Sequence, residues 1–341
     1  MSSFQDVLFS IENGHGRIVL NRPQALNALT LDMIDAISAQ LAGWEMRADI
    51  KAIIITGAGD KAFCAGGDVK AAYEAKKRGD LGYLEDFYRR EYQLNYRLAT
   101  YKKPIIAIMD GIVMGGGAGI ALNCSHPVVT HKTLFAMPEC RIGLFPDVGA
   151  GSFLNRASPS LALALGLLGL NLRGPGMIKA GLTKHFVGSG RVGEVAIERL
   201  DELQLPVEQA GIDQLVPLIE PVFSLKSFDE IVTVLAARRD TWASETLKAL
   251  RAQSPTSLRV TFAHLTRSRG RDLAEILKTD FRLSQHFMAG TDFFEGVRAQ
   301  LVDKDHSPKW HPADWADVPA AAVEGYFEPV PGIKDWAPQT R

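Results

Sequence analysis

The chain is short of the features that define several large protein classes. Its three cysteines, Cys64, Cys124 and Cys140, are odd in number and far apart, with no CxxC pair, so neither a disulfide framework nor a metal site is expected. Charge of one sign is missing as well. With 38 Lys+Arg against 39 Asp+Glu in 341 residues, the formal net charge is -1, and no nucleic-acid partner is expected without a basic field. The longest apolar run, residues 161–170, is far short of the roughly 20 residues that span a bilayer. It reads as a buried helix, and no membrane partner is expected. The first twenty residues lack a basic stretch followed by an apolar one, and they are not an Arg/Ser-rich leader. That start and the sparse cysteines predict a mature cytoplasmic protein in a reducing compartment. No histidine falls in HExxH or HxxxH, and neither GxSxG nor GxxxxGK[ST] occurs, so zinc-protease, serine-hydrolase and P-loop readings have no support.

What is present is a globular composition. At 46% hydrophobic and 23% charged, the chain can bury one large domain or two ordinary ones. Residues 7–11 and 16–21 read as strands joined by an Asn13-Gly14 hairpin turn. Residues 27–43 carry Leu29, Met33, Ile34, Ile37 and Leu41 at helical spacing, and residues 51–56 (KAIIIT) read as a buried strand. That strand runs into a glycine-rich segment, 57–68 (GAGDKAFCAGGD). The pattern returns as strand 103–109 followed by 110–119 (DGIVMGGGAG), with 120–123 continuing a helix. Residues 126–130 form a third strand and 133–151 a Gly/Pro-punctuated loop of the kind that carries sites. Beyond about residue 194 glycine thins out and amphipathic helices dominate, at 228–238, 245–251, 257–266 and 273–288. A boundary near 200 divides the chain into 1–200 and 201–341.

Three places invite chemistry. Residues 188–193 (GSGRVG) match GxGxxG, but the chain beyond turns polar where a parallel strand should follow, so a helix-capping turn is the better reading than a dinucleotide site. The loops Cys64-Ala65-Gly66-Gly67-Asp68 and Met114-Gly115-Gly116-Gly117-Ala118-Gly119 could together aim backbone N–H groups at one oxygen that becomes negative during reaction. Taken singly, each is better read as tight packing of helix on strand. Glu139 and Asp147 lie in an otherwise apolar loop, where partial desolvation would raise a carboxyl pKa and suit it to base, acid or nucleophile. Either could instead be a turn or helix cap.

The runs Leu20-Asn21-Arg22-Pro23 with Ala25-Leu26-Asn27-Ala28-Leu29, then Ala62 to Asp68, Lys103-Pro104 to Gly119, and Met137-Pro138-Glu139 resemble, in order and spacing, the enoyl-CoA hydratase/isomerase (crotonase) superfamily. Further marks resemble its 3-hydroxyisobutyryl-CoA hydrolase branch. These are residues 87–95 (FYRREYQLN), 135–139 running on to 143–149 (GLFPDVG), 254–257 (SPTS) and 292–299 (DFFEGVRA). The resemblance implies an α/β fold, a crotonase-type ββα spiral core of about 200 residues completed by a mostly helical C-terminal region. Its implied ligand is an acyl-CoA whose thioester carbonyl sits between the N–H groups of Gly67 and Gly116.

The same resemblance assigns Ala25, Leu26, Ala62 and Ala65 to CoA, Lys70 to a CoA phosphate, and Glu91, Gly116, Glu139 and Asp147 to the acyl pocket. Hydratases of this superfamily carry two glutamates, and the position of the second is Gly119 here. Asp147 stands where hydratases usually have glycine, which marks the hydrolase branch. Thioester hydrolysis by Glu139 and Asp147, a step of valine degradation, is therefore expected, with hydration of a short enoyl-CoA as the alternative. No separate cofactor is expected, and a homo-oligomer would accord with the superfamily. One departure is Cys140, where the hydrolases commonly have Thr.

Overall fold

The computed structural model describes residues 6–339, which cluster into two compact units. The first holds residues up to Asp68, Arg90–Ala136 and Asn171–Asp213. The second holds Val69–Arg89, Met137–Leu170 and the chain from Gln214 onward.

The first unit is built on two sheets. Strands β1 (Val7–Glu12) and β2 (His15–Leu20) form the antiparallel hairpin, with Asn13 and Gly14 both left-handed at φ 52° and 77°, as a two-residue turn between twisted strands requires. In chain order follow β3 (Ala52–Gly57), β4 (Ala62–Cys64), β5 (Ile105–Met109), β6 (Ile112–Met114), β7 (His126–Val129), β8 (Leu134–Ala136), β9 (Leu172–Arg173) and β10 (His185–Phe186). The longer strands make a six-stranded sheet, β1-β2-β3-β5-β7-β10, parallel from β2 onward. Buried on both faces, its central strands are almost continuously Ile, Val and Ala. The shorter strands β4-β6-β8-β9 make a second sheet. Long strand, short strand, helix thus repeats along the chain, which is the expected ββα pattern.

Those short strands correct the sequence reading. Segments 57–68, 110–119 and 133–151, expected to be loops, each contain one of them. A three-residue strand is too brief to show alternation, and its pairing comes from segments dozens of residues away. Residues 120–122 do not continue an earlier helix; they end one that starts at Gly116 (Gly116–Leu122). The first long helix spans Leu31–Trp44 instead of starting at 27, with Thr30 capping it by accepting from the Met33 N–H. Leu26 and Asn27 are withheld because they are left-handed, at φ 51° and 57°. Ala65 N–H donates to Leu26 O, and the Asn27 amide donates to Ala58 O and Ala62 O. The GSGRVG run forms a 3-10 helix, Ser189–Glu194, after β10. No α-helix opens there to receive a pyrophosphate, so the dinucleotide reading has no support.

The second unit is helical. Residues Ser160–Leu167 are all buried in the helix Pro159–Leu168, as expected of the longest apolar run. The helices Phe228–Ala237, Thr241–Arg251, Pro255–Arg267 and Leu273–Ala289 start after Ser227, Asp240, Ser254 and Asp272. Each of these residues accepts a hydrogen bond from the backbone three positions on, satisfying a donor the helix cannot. No helix among the described residues is long and apolar enough to cross a membrane.

Candidate active site

The first unit brings the two glycine loops together. A Cβ on Gly66 would lie 3.7 Å from the Gly116 nitrogen, and one on Gly116 would lie 3.1 Å from the Gly67 nitrogen. Among the described residues, neither the Gly67 nor the Gly116 N–H donates to another backbone carbonyl. Two uncommitted donors therefore stand side by side, the arrangement a carbonyl turning into an oxyanion needs. The packing reading of these glycines also holds, at the neighbouring residue. A Cβ on Gly117 would sit 2.1 Å from Cys64 O, so Gly117 is glycine because the helix Gly116–Leu122 lies against β4. At Gly116 the missing Cβ instead faces a side chain, 2.5 Å from Glu91 Oε1. Glu91, 2% exposed on the helix Leu81–Thr100, thus borders the donors.

Asn95, one turn further along the same helix, is fully buried, and neither its Nδ2 nor its Oδ1 has a partner among the described residues. The sequence reading missed it, although Glu91 to Asn95 is an i, i+4 pair that would share a face.

Of the residues assigned to CoA, four belong to this unit. Ala25 ends the short 3-10 helix Pro23–Ala25, and Leu26 is held to β4 by Ala65. Leu26 and Ala62 line one cavity of about 210 Å³ with Pro23, Asn27, Asp60 and Lys61. Lys61 was missed because nothing in its local sequence separates it from an ordinary surface lysine. Lys70 is an exposed residue of the helix Val69–Lys77 and falls in the second unit.

The second unit holds both carboxylates. Glu139 opens a 3-10 helix, Glu139–Ile142, that closes on a left-handed Gly143. Glu139 is 6% and Asp147 4% exposed. Burial, and then the Asp147 charge, push the Glu139 carboxyl well above the usual glutamate range. Its Oε2 is buried with no partner among the described residues. A buried polar atom left alone is costly, so this oxygen is a candidate to meet a ligand atom.

Distant segments hold this loop in place. Ser254 N–H donates to Cys140 O, and Ser254 Oγ donates to Asp292 Oδ2 at 2.6 Å. A Cβ on Gly143 would meet Asp292 O at 2.3 Å, and one on Gly296 would meet Ile142 at 2.4 Å. The SPTS and DFFEGVRA runs are therefore the buttresses of the Glu139 loop. The Cys140 thiol is fully buried, 3.3 Å from Thr261 Oγ1, and burial pushes it up to about 12. It packs, as a neutral group, and is no nucleophile.

The family model for enoyl-CoA hydratase/isomerase matches residues 15–327. The chain belongs to the enoyl-CoA hydratase/isomerase family. Among its relatives, the mitochondrial 3-hydroxyisobutyryl-CoA hydrolase of Gallus gallus is 42% identical, covering 96% of this chain and 90% of that protein. The Homo sapiens protein of the same name is 40% identical, covering 95% and 89%. Among solved structures, a carnitinyl-CoA dehydratase from Mycobacterium thermoresistibile is 35% identical with a TM-score of 0.90, over 96% of this chain and 98% of that one. An enoyl-CoA hydratase from Rhodobacter sphaeroides is 36% identical with a TM-score of 0.89, over 95% and 98%. The family membership and its α/β fold are as the resemblance implied. The expectation of a cytoplasmic protein is overturned, because curated relatives at 40–42% identity are named as mitochondrial. Compartment is set by a targeting signal, and the composition of a folded chain does not carry that information.

Proposed function

We propose that this family member hydrolyses the thioester of a short 3-hydroxyacyl-CoA, releasing CoA and the 3-hydroxy acid, with 3-hydroxyisobutyryl-CoA as the substrate. The observation that carries the reading is the Glu139 and Asp147 pair, two buried carboxyl groups in one loop, of which Glu139 has an open oxygen and a raised pKa. Relatives at 40–42% identity along nearly the whole chain bear that hydrolase name, which supports the choice of substrate. Isobutyryl is the carbon skeleton that valine leaves behind, so the reaction belongs to valine degradation.

In this reading the acyl carbonyl accepts hydrogen bonds from the Gly67 and Gly116 N–H groups, which stabilise the oxyanion of the tetrahedral intermediate. Either the Glu139 carboxylate attacks the carbonyl carbon, expelling CoA thiolate and leaving a mixed anhydride that water then opens, or it takes a proton from a water that attacks directly. On both routes one water is consumed and the proton ends on the departing thiolate. Asp147 holds the 3-hydroxyl or that water, and Glu91 closes the polar end of the acyl pocket. Leu26 and Ala62 line the CoA side, with Ala25 and Ala65 supporting them. Lys70 and Lys61 are the cations available to its phosphates.

A hydratase reading has the family name and two solved structures behind it, but water addition across a double bond needs an acid and a base. Gly119, where the second glutamate would be, is a buried helical glycine. Steady-state CoA release from (S)-3-hydroxyisobutyryl-CoA and 3-hydroxypropionyl-CoA, run beside hydration of crotonyl-CoA, decides between them. Thiol release abolished by Glu139→Gln is expected, and rapid crotonyl-CoA hydration without thiol release would sink the proposal.

A further inference from the structure

Asp147 is followed by two left-handed residues, Val148 at φ 54° and Gly149 at φ 84°. A β-branched residue in that region is strained, and such a conformation persists only where the surroundings impose it. Here the surroundings are a buried pair on two helices far along the chain. Asp280, from the helix Leu273–Ala289, accepts the Gly149 N–H on Oδ2 at 2.8 Å. Its other oxygen, Oδ1, lies 2.9 Å from Nε2 of His264, from the helix Pro255–Arg267, in a close polar contact that is off the line of a good hydrogen bond. Both side chains are fully buried.

His264 also reaches the other side of Asp147. Its ring meets Phe145 edge to face, with centroids 5.5 Å apart, and Phe145 stacks on Phe287 at the same distance. Ser268, 3.5 Å from Nδ1, lies where a Cβ on Gly151 would be 2.4 Å from its Oγ. The pair thus grips the turn at Phe145 and at Gly149, two residues to either side of Asp147. A carboxyl and an imidazole buried with no surface of their own cost the fold solvation, and a core of this kind would ordinarily be apolar.

We infer that His264 and Asp280 are positioning residues that hold the strained 147–149 turn, and through it fix where the Asp147 carboxylate meets the substrate. This rests on the proposed role of Asp147 toward the 3-hydroxyl. Neither residue touches substrate. Removing the imidazole leaves Asp280 with only the Gly149 N–H, and the turn relaxes from its strained form.

The test compares wild type, His264→Leu, His264→Gln and Asp280→Ala by two readings. One is the ratio of kcat/KM for (S)-3-hydroxyisobutyryl-CoA to that for isobutyryl-CoA, which lacks the hydroxyl. The other is amide hydrogen exchange of the peptide covering 145–153. In His264→Leu and Asp280→Ala the ratio is expected to fall about 10- to 100-fold, the scale on which a group misplaced by about an ångström costs rate. Exchange of the peptide should quicken, and His264→Gln, whose amide can donate to Asp280, should restore much of both. In the background of Asp147→Asn, His264→Leu should lower the ratio no further, since effects transmitted through one residue are not additive.

Unchanged exchange, or faster exchange with the ratio intact, overturns the inference. Should His264→Leu or Asp280→Ala not fold, Asp280→Asn, which keeps an acceptor for Gly149 but replaces the carboxyl oxygen facing His264, is read in the same way. Loss of the hydrolase reading itself would appear as no thiol release by wild type, and the exchange experiment would still decide whether the pair holds the turn.

Discussion

The two sets of groups to which the proposed function assigns chemistry, one in each compact unit, are made from different materials. In the first unit the proposed working groups are the main-chain N–H donors of Gly67 and Gly116, and the sequence opens the space beside them by leaving side chains out at Gly66 and Gly116. In the second unit they are two carboxyl groups, and the sequence must hold them against their own chemistry, buried and close enough for the charge of one to shift the other. A donor made from backbone is fixed by the strand and helix that carry it. A buried carboxylate needs partners recruited from elsewhere, and here Ser254, Asp292, His264 and Asp280 supply that support from more than a hundred residues away.

The harshest way to break the comparison is to neutralise the side-chain half. Glu139→Gln keeps shape and removes the base or nucleophile, and kcat for CoA release is expected to fall by about 10²–10⁴-fold or more, with KM little changed. The same variant should unfold at a higher temperature than wild type near pH 8. Because the folded-state pKa of Glu139 is raised, the fold favours its protonated form, and the stability this contributes is present at low pH and lost as pH climbs through the folded value. The advantage of Gln should therefore vanish as pH falls toward the ordinary glutamate value of 4.5. Thermal melts across that range check it.

The backbone half is tested by two adjacent alanines with opposite outcomes. At Gly116 a methyl group would crowd the flexible end of Glu91 and fill the space in front of the Gly67 nitrogen. Gly116→Ala should fold almost normally while losing about 10²–10³-fold in kcat, the worth of an oxyanion donor. At Gly117 the methyl meets the Cys64 carbonyl at 2.1 Å, backbone that cannot step aside. Gly117→Ala should therefore cost at least about 1–3 kcal/mol of stability, an overpacking penalty. Urea titrations and CoA-release kinetics on the two variants separate the roles; equal stability losses would show that both glycines serve packing alone.

How much of this was legible from residues follows the same division. Glycine has a distinctive backbone signature, so the two donor loops could be paired as a hypothesis before any fold was known. The hairpin, the buried parallel strands and the C-terminal helices were legible too, because turn chemistry and periodicity write them locally. The three-residue strands were not, since their partners lie in other repeats. Glu139 and Asp147 stood out as carboxylates in apolar surroundings, but Glu91 did not. On a helix of mixed charges, a residue whose setting is fixed by the glycine facing it carries no local mark. Ser254, Asp292, His264 and Asp280 work only through tertiary contact, and the SPTS and DFFEGVRA runs were recognisable by resemblance without revealing what they support.

Asp147 sharpens the comparison through pH. If Glu139 acts as a carboxylate, kcat/KM rises with pH as it ionises, with the half-rise above 4.5 because burial and the Asp147 charge both resist ionisation. Asp147→Asn removes the second cause and leaves the first. The half-rise should move to lower pH yet stay above 4.5, while the plateau drops with loss of the hydroxyl or water contact. A half-rise that does not move would separate the two carboxyl groups electrostatically and return Asp147 to a purely structural role.

The smallest effect is expected at the rim of the backbone half. Lys61 lines the cavity that Leu26 and Ala62 share, and as a solvent-facing ammonium its attraction to a phosphate is worth only about 0.2–1 kcal/mol, as for other exposed ion pairs. Lys61→Ala should raise KM for the CoA ester about 1.5- to 5-fold without changing kcat, and the rise should shrink as salt is added, since an exposed charge is screened. Lys70→Ala gives the matching measurement for the lysine chosen by resemblance. If KM responds at Lys70 and not at Lys61, the phosphate is held from the helix Val69–Lys77. If it responds at Lys61, the cavity beside the strained Leu26-Asn27 turn receives the charged end of CoA, and the strain at that turn has its function in shaping the cavity.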